Sequence, residues 1–218
     1  MQRDPEKEET GLIRGCLSPG AGQTLEIGCG NGRLTADLSR YADNLVAVDS
    51  YMEDLVSARR RIGTSVKFVA ALGEWLPFPA NSYDTVIFTL SLHHQKPHKA
   101  LREASRVLKD DGQILVLEPV ADSPVSKLFA ILEDESEKYA LAEIAIDSSG
   151  LKVIGTGSVR TRWVFEDAAE LVSHLFDYFG LEPDIEKESI MMQLLGDLQG
   201  MEPLPIADVT RFWLLRMW

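Results

Sequence analysis

The sequence predicts an α/β fold, a parallel sheet with helices on both faces, and three observations predict it. Short apolar runs alternate with helical patterns through the first 120 residues of a 218-residue chain. Each run is apolar on both faces, as strands buried in a parallel sheet are. Strands that alternate with helices in this way are joined by right-handed crossovers.

The elements follow in order. Strands are expected at 24–28, 45–49, 66–70, 84–89 and 113–118. Leu34, Leu38 and Tyr41 line the first intervening helix. The second opens on Ser50 and Glu53, the S-x-x-E spacing of a capping box, with Met52, Leu55 and Val56 on one face. Pro97 suits a helix start, and Leu101, Ala104 and Leu108 line that helix. Beyond Pro119 the pattern changes. Ser123-Pro124 opens a long helical stretch to about Ser148, and residues 151–165 read as extended. Two amphipathic helices are expected at 167–179 and about 187–199, stopped by Gly180 and Gly200, and then a closing strand over 209–218.

Composition bounds the function. With 45% apolar and 26% charged residues the chain can bury a sizeable core. No apolar run approaches the roughly 20 residues of a membrane span, and the charged start, residues 1–10, lacks the apolar centre of a signal peptide. The expectation is a cytoplasmic protein, with Cys16 and Cys29 as free thiols. A net charge of −12 repels phosphate-rich partners and disfavours nucleic acid. The basic run Arg59-Arg60-Arg61 sits at a helix end, where it complements the helix dipole.

The strongest local signal is Glu26-Ile27-Gly28-Cys29-Gly30-Asn31-Gly32, between a strand and a helix. Glycines there let the backbone turn tightly and approach a ligand. Seventeen residues past Gly32 the second strand ends in Asp49, a place where a carboxylate can bind both ribose hydroxyls of a nucleoside. Dinucleotide enzymes use G-x-G-x-x-G; here Arg33 occupies the third glycine's position.

Leu25 to Gly32 resembles the first motif of class I S-adenosylmethionine-dependent methyltransferases. Three further stretches resemble the ubiquinone/menaquinone-biosynthesis-like (methyltransferase type 11) group within that class. They are Leu76-Pro77-Phe78-Pro79 with Ser82-Tyr83-Asp84, then Leu92-His93-His94, then Leu101-Arg102-Glu103 through Arg106-Val107-Leu108-Lys109 to Gly112. The resemblance covers about Gly22 to Pro119. It implies a Rossmann-like fold with a mostly parallel seven-stranded sheet and extra helices in the C-terminal half. It also implies a single domain over 1–218, in which 1–120 binds the cofactor and 121–218 shapes the acceptor site and adds the closing strands.

The cofactor implied is S-adenosylmethionine, with S-adenosylhomocysteine as product. Its contacts would fall on Glu26, Gly28, Cys29, Gly30, Gly32, Asp49, Ser50, Tyr51, Met52, Leu72, Gly73, Glu74, Thr89 and Leu90. Glu26 would hold the amino group, Asp49 the ribose, and Tyr51 or Met52 the adenine ring. The chain departs from the family at Leu72, where an acidic residue usually meets the adenine amino group, and at Lys109-Asp110-Asp111-Gly112, which still makes a good turn.

Methyl transfer from a sulfonium needs positioning above all, and a base only where the acceptor must lose a proton. His94 and His93, just past the fourth strand, are the candidates. No metal is expected, because His93, His94 and His98 have no cysteine or carboxylate cluster beside them. Trp163, Phe165, Phe176, Tyr178, Phe179, Met191 and Met192 offer a lid over an apolar or aromatic acceptor. Their helical spacing favours the alternative that most of them simply pack, with Tyr178 and Trp163 the exceptions whose polar groups face a pocket. The expected partner is a small-molecule acceptor, and a homodimer is left open. A cofactor-binding sensor or subunit without catalysis is the alternative, favoured by Leu72 and by the short segment before the first strand.

Overall fold

The computed structural model describes residues 1–17, 22–42 and 44–218. The chain begins with β1 (Gln2–Arg3) and α1 (Glu8–Cys16). The alternating region follows as β2 (Gln23–Ile27), α2 (Arg33–Leu38), β3 (Asn44–Asp49), α3 (Met52–Ile62), β4 (Lys67–Ala70), β5 (Tyr83–Thr89), α4 (Pro97–Val107) and β6 (Leu108–Pro119). Then come α5 (Pro124–Ala130), α6 (Ser136–Asp147), β7 (Lys152–Phe165), α7 (Ala168–Phe179), α8 (Ile185–Leu195) and β8 (Leu204–Arg216). Leu92–His94 and Gly196–Gly200 form short 3-10 turns.

Strand order is β1-β7-β8-β6-β5-β2-β3-β4. The pairs β2–β3, β2–β5, β3–β4 and β5–β6 are parallel, as the sequence predicts, whereas β1 runs antiparallel to β7. The expected seven-stranded, mostly parallel sheet is thus corrected to an eight-stranded mixed one. The added strand is β1, where Gln2 pairs with Val164 and Arg3 with Trp163. Asp4 follows it directly, and its carboxylate accepts the Glu8 and Glu9 N–H groups, both at 2.9 Å, so one residue ends the strand and caps α1.

The chain divides into two compact units, each made of three segments. One comprises Met1–Glu9, Pro119–Glu137 and Val159–Thr210; the other comprises Thr10–Glu118, Lys138–Ser158 and Arg211–Trp218. In the second unit successive strand residues divide between the two faces of the sheet, as the pleat requires. Val86, Phe88, Ile114 and Val116 face a core with Leu101 and Ala104 of α4 and Ala142 and Ala145 of α6. Ile87, Leu115 and Leu117 face another, with Ile13 of α1, Leu34 and Leu38 of α2 and Leu55 of α3. Buried on both faces, these strands read as unbroken apolar runs. Among the described residues no helix is long and apolar enough to cross a membrane.

Local expectations are corrected at several places, and Leu108, expected to line α4, opens β6 instead. The Ser50–Glu53 capping box does not form: Tyr51 is the N-cap of α3 with no side-chain cap, and Asp49 Oδ1 takes the Tyr51 N–H at 2.9 Å. On α3, Leu55 is buried while Met52 and Val56 are exposed. Tyr41 lies beyond α2, exposed, with the Arg14 guanidinium over its ring. The long helix expected from Ser123 is two helices, because Asp134 accepts the Ser136 N–H at 2.9 Å and opens α6 afresh.

In the first unit, Trp163, Phe165, Phe176 and Met191 are buried core residues, which favours packing over a lid for these four. Trp163 is corrected as an exception. Its Nε1 donates to Asp208 Oδ2 at 3.1 Å inside the unit, so its polar group is already spent. Asp208 also accepts the Ser123 hydroxyl and the Val209 N–H, each at 2.9 Å. Tyr178 is exposed, and Phe179 and Met192 are half-buried. Asp208→Ala strands three donors in or beside an apolar core. It should lower the unfolding free energy by about 3 kcal/mol, read by urea denaturation.

Candidate functional site

The site begins where β2 ends. Gly28 has φ 76°, and its N–H and that of Cys29 donate to Val48 O at 2.8 and 3.0 Å. A Cβ on Gly28 would meet Ser91 Cβ at 2.3 Å. Ser91 is itself fixed there, because its hydroxyl donates to Ile27 O at 2.6 Å. Only glycine therefore lets the turn lie against the segment after β5.

Asp49, at the end of β3, organises the next part. Oδ2 accepts the Gly30 N–H at 2.8 Å and Oδ1 the Tyr51 N–H at 2.9 Å. Its carboxylate, 9% exposed, thus joins the glycine turn to the start of α3. Each oxygen keeps a further acceptor position, enough for a pair of vicinal hydroxyls. The large side chains that follow, Tyr51 and Met52, are exposed, as are Ser50 and Leu72.

Glu26 is fully buried. Oε1 accepts the Thr89 hydroxyl at 2.9 Å, while among the described residues Oε2 has no hydrogen-bond partner, and neither does the buried Thr35 hydroxyl oxygen. Burial pushes the Glu26 carboxyl above its usual range, against the stabilising effect of its hydroxyl neighbours and of the Arg33 charge. A buried acid with one unmatched oxygen suits a cationic amino group. Burial also raises the Cys29 thiol far above its ordinary range, with the Glu26 and Asp49 charges adding to it, so Cys29 is no nucleophile at neutral pH.

After β5 the backbone leaves extended geometry at Leu90, a non-glycine residue with φ 57°, whose N–H donates to Leu117 O at 2.9 Å. The 3-10 turn holding the two histidines follows. Glu118, 1% exposed at the end of β6, accepts the Leu92 N–H at 2.9 Å on one oxygen and is hydrogen-bonded to His93 Nδ1 on the other. The His93 ring is buried, with the Tyr139 ring edge-on at 4.9 Å. His94 is exposed, its ring centroid 3.9 Å from that of His93. The fixed imidazole is therefore His93, with Nε2 as its remaining nitrogen.

Of the residues expected at the cofactor, hydrogen bonds link Glu26 with Thr89, and Gly30 and Tyr51 with Asp49. Gly73 packs close to Ile27 and the Gln95 amide, and Glu74 Oε1 accepts the Lys96 N–H at 2.7 Å. Gly32 lets the turn pack against α3, because a Cβ there would meet Ala58 Cβ at 2.9 Å. Sequence reasoning missed Thr35, Ser91, Gln95 and Glu118. Glu118 carried a signal of its own, a lone acid closing an apolar strand as Asp49 does.

Two substitutions test this geometry. Gly28→Ala forces a left-handed alanine onto Ser91 and should cost at least about 1–2 kcal/mol in a denaturation experiment. For Glu26, the folded carboxyl holds its proton more tightly than the unfolded one. Stability without ligand is therefore lost as pH rises from the ordinary carboxylate pKa through the raised one. Glu26→Gln should gain most over wild type at neutral pH, and the gain should shrink on acidification, read by urea unfolding across that range.

Comparison with known proteins adds a family. The methyltransferase domain family matches residues 25–116. A ubiquinone/menaquinone biosynthesis C-methyltransferase of Citrobacter koseri is 38% identical over 127 residues, 52% of this chain and 50% of that protein. The uncharacterized methyltransferase YcgJ of Bacillus subtilis is 33% identical over 135 residues, 56% of this chain and 53% of its own. The YcgJ crystal structure aligns with TM-score 0.66 at 20% identity, over 96% of this chain and 98% of that one. The geranyl diphosphate C-methyltransferase of Streptomyces coelicolor A3(2), solved with Mg2+, geranyl diphosphate and S-adenosyl-L-homocysteine, aligns with TM-score 0.63 at 14% identity, over 98% of this chain and 79% of that one. The chain spans about half the length of the curated relatives it matches, and its likeness to the solved structures is one of fold.

Proposed function

We propose that the chain, whose residues 25–116 match the methyltransferase domain family and resemble a ubiquinone/menaquinone biosynthesis C-methyltransferase, transfers a methyl group from S-adenosylmethionine to a carbon atom of a small apolar or aromatic acceptor. The observation that carries the reading is the unmatched Oε2 of buried Glu26, beside a glycine turn held by Asp49. An amino acid ammonium would satisfy that oxygen and favour the charged carboxylate. Asp49 would hold the ribose, the Gly28–Gly30 backbone the methionine part, and Tyr51, Met52 and Leu72 the adenine.

The cofactor supplies a methyl group already activated on a cationic sulfur. The rest falls to positioning, for which well-oriented groups reach effective concentrations of about 10⁵–10⁸ M. Carbon as the attacking atom follows the names of the C-methyltransferase relatives. Such an acceptor loses a proton once the new bond forms, so a base has work to do. His93 is the better placed of the two histidines: Glu118 fixes its Nδ1 and leaves Nε2 to take the proton. His94, beside it and exposed, remains the second candidate. Free Cys16 and Cys29 suit the reducing cytoplasm proposed as its setting.

A second reading is a cofactor-binding sensor without catalysis. Leu72 favours it, because an exposed leucine stands where an acid would meet the adenine amino group. Calorimetric titration with S-adenosylhomocysteine, with NAD as control, tests both at their shared step. Micromolar binding is expected, weakened tenfold or more, about 1.4 kcal/mol, in a folded Asp49→Ala variant. No binding, or binding indifferent to Asp49, would sink both readings. Transfer of labelled methyl to electron-rich aromatic acceptors then separates enzyme from sensor.

A further inference from the structure

The second unit carries a cationic groove that meets the proposed cofactor site at Leu72 and Glu74 and whose cations the proposed chemistry does not use. It has a volume of about 630 Å³ and lies between the Leu72–Trp75 turn and α4. The turn is tight, closed by the Trp75 N–H on Leu72 O at 3.0 Å. It holds the Trp75 ring 79% exposed and Leu72 57% exposed. An indole left so open is an apolar surface kept available for contact.

The opposite wall is charged. Lys96, Lys99 and Arg102 line it at intervals of three, all exposed, and none has an ion-pair partner among the described residues. The two acids at the groove are already engaged. Glu103 takes the Arg106 guanidinium at 2.7 Å and the Leu76 N–H at 2.9 Å, and Glu74 takes the Lys96 N–H. Arg106 is fixed further by the Phe78 and Leu76 carbonyls, at 2.8 and 3.0 Å. The floor is therefore an internally matched Glu103–Arg106 pair, and the three cations outnumber the one remaining lining acid, Glu74, on a chain of net charge −12.

We propose that this groove binds a small amphiphilic anion. Its carboxylate or phosphate would lie on Lys96, Lys99 and Arg102, and its aromatic or apolar body against Trp75. The volume falls within the range of roughly 300–1,000 Å³ that small-molecule sites occupy. A nucleic acid needs a longer basic track than three side chains and would meet the repulsion of the acidic remainder. S-adenosylmethionine itself is disfavoured, since its carboxylate is outweighed by a sulfonium and an ammonium and its net charge is positive. The inference goes beyond the methyltransferase reading and stands or falls apart from it.

Trp75 is its own reporter. Trp163 and Trp213 are each 4% exposed, so Trp218→Phe leaves Trp75 as the one strongly exposed indole of the chain. The probe is decyl phosphate below its micelle concentration, with decyltrimethylammonium as the opposite charge and phosphatidylglycerol vesicles as the bilayer arm. Expected is a saturable blue shift with decyl phosphate that weakens as salt is added and survives Asp49→Ala. Lys99→Gln with Arg102→Gln should weaken it at least tenfold, while the decyltrimethylammonium arm gives no shift. Absence of a saturable shift, equal response to the cationic probe, or indifference to the double substitution would each overturn the proposal. A shift with vesicles but none with decyl phosphate would replace the small anion with a membrane surface.

Discussion

Where parallel strands end side by side, their last amides lose the ladder, and each one buried unmatched costs on the order of 1–3 kcal/mol. Carboxylates answer that constraint here. Asp49 closes β3 and reaches Gly30 and Tyr51. Glu118 closes β6 and reaches Leu92 and His93 in the turn after β5. Glu26, inside the end of β2, reaches Thr89 at the end of β5. Since the strands lie in the order β6-β5-β2-β3, each acid ties its strand to a neighbour or to a neighbour's loop. The glycine turn, the 3-10 turn and the start of α3 all take their places from these contacts.

The three acids are unequal, and the difference directs attention to function. Asp49 and Glu118 have both oxygens matched by donors of the chain itself. Glu26, the most deeply buried, has one oxygen left over. In a low-dielectric setting an unmatched charged oxygen is costly, and the neighbouring hydroxyls and the Arg33 charge offset only part of the burial. A ligand cation is the economical way to complete it. His93, by contrast, is held at one nitrogen in a fixed orientation, the condition for a directed proton acceptor rather than a mobile one.

Much of this was legible in the sequence. Strands apolar on both faces announced a parallel sheet, and the glycine run between strand and helix announced the tight turn that Asp49 holds. What escaped depends on contacts distant in sequence. The two residues of β1 carry no periodicity, and only their pairing with Val164 and Trp163 makes them a strand. Ser50 and Glu53 had the spacing of a cap, but Asp49 reached the Tyr51 amide first. Asp134 lay within a helical pattern and became the start of a new helix. Glu118 was visible as an acid closing a strand, but its pairing with His93 follows from β5 and β6 lying side by side, which no local window contains. Trp163 looked available for a pocket because Asp208, its partner, is forty-five positions away.

The interleaving of the two units has a consequence for the order in which the protein is made. The core built on β2 and β5 counts Trp213 and Leu215 among its fully packed members, together with Ala142 and Ala145. A ribosome delivers Leu25 and Phe88 long before it delivers β8. During that interval the apolar face awaiting residues 211–216 stays uncovered, although the glycine turn and Asp49 have already emerged. Synthesis and the closing of the core are therefore out of step, and the nascent chain carries its glycine turn on a sheet that is still incomplete.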